Sequence, residues 1–185
     1  MSLGQDRLQR VWASAQRDDH RRDPRVLARL ATSSDPDERL LTLALVRRQI
    51  GAGEPPEPYL SIARKLVTDP DNDCRWQALI VVGEAIATNP DSVWEVIAEY
   101  GSSPDEDMRT AIATVLLEHL LEAHFDRYFP RVRARTLSGD RLFAEMVSMC
   151  WVGTPRSPGR LKIQHVLDVA AQGGLWSASD STDAV

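Results

Sequence analysis

Asp35-Pro36-Asp37-Glu38, Asp69-Pro70-Asp71-Asn72 and Ser103-Pro104-Asp105-Glu106 place proline at positions 36, 70 and 104, two equal steps of 34 residues. Each copy is a helix start signal. A short oxygen-bearing side chain accepts hydrogen bonds from the free backbone N–H groups of a first turn, proline fits the first helical position, and the following acids suit the positive end of the helix dipole. Another step of 34 reaches the weaker Ser138-Gly139-Asp140. Self-similarity at a fixed period of this length marks a repeat array.

The register extends into the segments that follow. Positions 40, 74, 108 and 142 are Leu, Cys, Met and Leu; 44, 78, 112 and 146 are Ala, Ala, Ile and Met; 45, 79, 113 and 147 are Leu, Leu, Ala and Val. Apolar residues at i, i+4 and i+5 in every copy predict one buried helical face per repeat. A shorter helix is expected before each of these, over Pro24 to Ala31, Pro58 to Val67, Asp91 to Tyr100 and Phe125 to Arg135, with Gly51 to Pro58 as a linker. The chain thus reads as an all-α domain over 1–172, made of four antiparallel helix pairs at about 23–50, 57–88, 90–122 and 125–152. Helices Leu3 to Gln16 and Arg160 to Ala171 are expected to cap its ends, and 173–185 to form a flexible tail.

Composition narrows the function. The 185 residues carry 27 acids and 22 bases, a net charge of -5. Residues 51–130 hold 15 acids and 5 bases, whereas the segments on either side are mildly basic. Phosphate backbones are bound by clustered Lys and Arg, so an acidic centre argues against nucleic acid and favours a basic or neutral protein or peptide partner. No apolar run approaches the roughly 20 residues of a membrane span, and Asp6, Arg7 and Arg10 break any signal-peptide core, so no membrane association and a cytoplasmic location are expected. Two cysteines, Cys74 and Cys150, cannot build a disulfide framework.

Asp69 followed six residues later by Arg75, and Ser103 followed by Arg109, resemble the start of the second helix in HEAT repeats; the first copy has Leu41 at the Arg position when counted from proline. The resemblance covers about residues 23–152. It implies a right-handed solenoid of antiparallel helix pairs whose second helices line a concave face. A 34-residue period also fits tetratricopeptide repeats, but their Trp, Leu-Gly, Tyr and late Pro pattern is missing, as is the ankyrin Thr-Pro-Leu-His.

Candidate residues follow from this frame. In HEAT-like stacks the equivalents of Asp69, Arg75 and Arg109 form a structural ion-pair ladder between repeats. Asp73, Asp105, Glu106 and Asp107 read as helix-start acids, or else as an acidic cluster for a basic partner. At 100° per residue Trp76 points away from the seam marked by Cys74, Ala78, Val81 and Ala85. With Thr110, its equivalent in the third repeat, Thr114 and Trp151 in neighbouring slots of the same face, and Glu84 and Glu118 at the rim, it would line a shallow partner-binding groove. The alternative, indoles packed beneath the partner helix of their own repeat, stands beside the groove for Trp76 and is favoured for Trp151.

Glu118, His119, Glu122 and His124 lack metal-ligand spacing, so no metal or other cofactor is expected. No catalytic set can be assembled: Gly-x-Ser-x-Gly, a P-loop and a dinucleotide fingerprint are all absent. The reading is therefore a non-catalytic scaffold or adaptor. The enzyme alternative is a HEAT-like DNA glycosylase of alkylation repair, with Trp76, Asp73 and Arg109 against a damaged base; a HEAT-like chromophore lyase has no residue to support it.

Overall fold

A computed structural model describes residues 3–17, 23–154 and 156–173. Among them the secondary structure is helical, with no strand. The chain divides into two compact units, Met1–Thr88 and Asn89–Val185.

The N-terminal unit contains α1 (Leu3–Arg17), α2 (Pro24–Leu30), α3 (Pro36–Gly51), α4 (Pro56–Leu66) and α5 (Asn72–Gly83). Three of its helix starts, those of α2, α3 and α5, follow the capping chemistry of the sequence. Asp23, Asp35 and Asp71 stand just outside the helices in extended conformations, and their carboxylates accept from the N–H groups of Arg25, Asp37 and Cys74. Two pairs result, α2 with α3 and α4 with α5. First helix packs on first helix, α2 on α4, and second on second, α3 on α5, while α1 covers α3. Leu27, Leu40, Leu43, Leu45, Ile62 and Leu79 are fully buried in this stack, each stabilising it by roughly 1.5 to 3 kcal/mol.

The C-terminal unit contains α6 (Pro90–Tyr100), α7 (Glu106–Ala111), a π-helical turn over Ile112–Leu117, α8 (Glu118–Thr136), α9 (Arg141–Ser148) and α10 (Pro158–Gln172). The packing pattern is the same: α6 lies against the π-helical turn and α8, α9 against α8 and the π-helical turn, and α10 against α8 and α9. His124 leaves the helical region (φ -140°, ψ 42°), so α8 is two helices joined at a kink, and the second contains Pro130. The kink falls one residue before the helix start expected at Phe125. Gly101 closes α6 so near its own turn that a Cβ would lie 2.6 Å from the Ile97 carbonyl and 3.0 Å from Phe143 and Met146. Only glycine fits there.

Of the twelve apolar register positions, all are buried except Leu142, which is half-buried. The start signal itself needs correction. Pro36 occupies the first turn of α3, but Pro70 and Pro104 precede the capping Asp71 and Asp105. Structural equivalence therefore runs through Asp35, Asp71, Asp105 and Asp140, not through the prolines. Counted from the cap, the first repeat does have its arginine: Arg39, not Leu41. The tail expected over 173–185 lies outside the described residues except for Gly173.

Candidate partner-binding face

The three cap-plus-four arginines share one local geometry. Arg39 donates to the Ser33 carbonyl at 2.8 Å, Arg75 to that of Asp69 at 3.0 Å and Arg109 to that of Ser103 at 2.7 Å, each six residues back. Each thereby ties the loop to the first turn of the second helix. The Ser33, Asp69 and Ser103 side chains accept in turn from the N–H of the capping Asp35, Asp71 and Asp105.

Rungs between repeats are built on this frame. Asp69, 5% exposed, receives two hydrogen bonds from Arg39, 2.6 Å from Nε and 2.8 Å from Nη2, in a buried fork. These bonds hold the Arg39 guanidinium above its ordinary pKa. In the C-terminal unit Arg109 lies 3.3 Å from Glu145. Asp69 is thus paired with Arg39 and gives Arg75 only its carbonyl; the Arg75 guanidinium also reaches the Asn72 side chain at 2.8 Å.

Three acids at the starts of α3 and α5 are tied to α1. Arg7 reaches Asp37 at 2.6 Å, Asp71 at 2.9 Å and Asp73 at 3.0 Å. Burial pushes the Asp71 carboxyl up, but bonds from the Cys74 N–H and Arg7 outweigh it and hold the group below the usual carboxylate range. Asp73 and Arg109, the residues a glycosylase reading needs free, both sit in ion pairs.

The groove candidates separate by unit. In the N-terminal unit Trp76 is half-buried on α5, and Glu84, at the C-cap of that helix, pairs with Arg47 at 2.7 Å. In the C-terminal unit Thr110, Thr114 and Glu118 follow one another at four-residue spacing through the π-helical turn. The Thr114 hydroxyl donates to the Thr110 carbonyl at 2.8 Å, and the Thr110 hydroxyl donates to the Met149 sulfur at 3.5 Å. Glu118 accepts from the backbone N–H of Trp151 at 3.1 Å.

Trp151 reverses the packed reading favoured from sequence: it is 59% exposed, the highest value among the large hydrophobic residues described. The reason is local. α9 ends at Ser148, two residues before the buried Cys150, so Trp151 falls beyond the helix whose periodicity suggested burial. It is nonetheless held. The Arg160 guanidinium lies 4.9 Å from the ring centroid and also donates to the Cys150 carbonyl. Leu161, next on α10, is 58% exposed. Sequence reasoning passed over Arg160 and Leu161 because α10 looked like a plain cap; the signal available was an apolar residue out of phase with Ile163, Val166 and Leu167.

Burial pushes the Cys74 thiol up to about 12 and that of Cys150 higher still, so both are protonated at neutral pH. Among the described residues no group of three or more His, Cys, Asp and Glu could hold a metal ion, and no helix is long and apolar enough to cross a membrane. Compared with known protein families, curated proteins and solved structures, the chain matches none.

Proposed function

We propose that the chain is a non-catalytic protein- or peptide-binding module, a small HEAT-like solenoid of helix pairs that meets its partner through the Trp151 face of the C-terminal unit. The observation that carries this reading is the state of Trp151. A large indole exposed to 59% is fixed at its backbone by Glu118 and at its ring by Arg160. An anchor ordered before binding loses little entropy on association, and tryptophan and arginine dominate binding energy at interfaces. The solenoid reading draws support from the packing within each unit, where first helices stack on first helices and second on second.

The test is Trp151→Ala in the full chain, assayed for partner capture from the native host and for melting temperature. Capture should fall at least about tenfold, the cost of losing a central anchor, with the melting temperature nearly unchanged. Undiminished capture would remove Trp151 from the interface. A large drop in stability would show that it serves the core instead.

A further inference from the structure

We infer that the Trp151 face and the first turns of α10 take an acidic peptide bearing apolar anchors, a partner opposite in charge to the one suggested by the acidic middle of the chain. The inference rests on the binding-module reading above. Trp151, Leu161 and Val169 are the exposed large hydrophobics among the described residues, and all three lie on α10 or on the loop that leads to it. Charge is concentrated in the same place. From Trp151 to Leu167 there is no acid, and there are three bases, Arg156, Arg160 and Lys162, in a chain of net charge -5.

The bases are set around the apolar side chains. Arg160 stacks over Trp151, and Lys162 stands 5.4 Å from the Phe125 ring centroid while remaining exposed. Phe125 is held in turn, stacked on Phe129 at 4.8 Å and so close to α10 that a Cβ on Gly159 would lie 3.0 Å from it. The positive end of the 15-residue α10 adds to the field at Ser157. Three of the neighbouring acids are held by local partners, Glu118 by the Trp151 N–H, Glu122 beside His119 at 3.4 Å and Asp168 by the Gln164 amide at 2.9 Å, while Asp126 next to Phe125 stays exposed. Carboxylates of an incoming peptide would meet Arg156, Arg160 and Lys162 while its apolar side chains cover Trp151 and Leu161. Three bases fall short of the clusters of about 4 to 8 that read anionic lipid headgroups, which favours a peptide over a membrane.

The experiment is selection of a random dodecapeptide library on the full chain, with the enriched peptides then titrated by fluorescence polarisation. Enriched peptides should carry Asp or Glu beside Leu, Phe or Trp. They should bind at least about tenfold more weakly to Trp151→Ala and to the double variant Arg156→Glu/Lys162→Glu, whose exposed positions leave the helical circular dichroism unchanged. Added salt should weaken them further. Basic or uncharged peptides that still require Trp151 would overturn the acidic partner and leave the binding face standing. Peptides indifferent to Trp151, or no enrichment, would overturn both. Phosphatidylserine vesicles or short duplex DNA bound more tightly than any peptide, with loss in the double variant, would overturn the peptide.

Discussion

Arg39 joins three pieces of the N-terminal unit with one planar group, bonding the Ser33 carbonyl behind it and both oxygens of Asp69 in the following repeat. The pair is buried on both sides, so removing one partner leaves the other charged and dry. Arg39→Ala should therefore cost about 3 to 5 kcal/mol, read as a shift in the urea midpoint, and an effect under about 1 kcal/mol would show the fork to be dispensable. Two depressed carboxyls make the fold sensitive to acid. Asp71 and Asp140 are both held below the usual carboxylate range: burial raises each, and bonds from Cys74 N–H and Arg7, or from Ser102, Phe143 N–H and Arg135, more than reverse it. A depressed carboxyl contributes stability that is complete above its unfolded pKa of about 3.9 and is lost as pH falls through the folded value. The melting temperature should thus hold from neutrality to about pH 5 and fall below about pH 4, and Asp71→Asn, which can still cap α5, should flatten that acid arm.

At the scale of elements, α1 is attached differently from the helices beneath it. Among its side chains described, only Val11 and Ala15 are buried, whereas Arg7 spans three aspartates from the starts of α3 and α5. Arg47 lies 5.5 Å over the Trp12 ring, and Arg48 donates to the Ala15 carbonyl at 2.6 Å. Arg7 thus carries part of the seat of α1, and ion pairs near the surface weaken with salt. Arg7→Ala should lower amide protection in α1 at least about tenfold while α3 to α5 stay protected, and high salt should do the same to the unmodified chain. Equal protection in variant and parent would mean that Val11 and Ala15 suffice. The π-helical turn at Ile112–Leu117 is the other departure from regularity; it widens the winding between Thr110 and Glu118 on the way to Trp151.

For the whole molecule the charge divides with the two units. Residues 1–88 hold 13 bases and 13 acids, and residues 89–185 hold 9 and 14. Many of the arginines are committed to internal partners, Arg7, Arg39, Arg109 and Arg135 among them. Duplex DNA binds mainly by counterion release at clustered free bases. The full chain should therefore show no retardation of short duplex DNA at physiological salt, and micromolar binding with a steep salt slope would restore the glycosylase reading.

The sequence by itself determined the helices, their order and their buried faces. Period, capping aspartate and apolar spacing are local properties, written within one or two turns of chain, and α2 to α7 begin within about two residues of where those signals place them. The tertiary structure decided the partners. Nothing local distinguishes Arg39 from an exposed arginine, because its acid lies 30 residues away; nor could periodicity reveal that proline shifts from inside the helix to outside the cap between the first and second repeats. The exposure of Trp151 was likewise out of reach, since it depends on where α9 stops and on Arg160 arriving from the next helix. Side-chain partnership between distant segments is fixed only when the helices pack, and the candidate face is made of such partnerships.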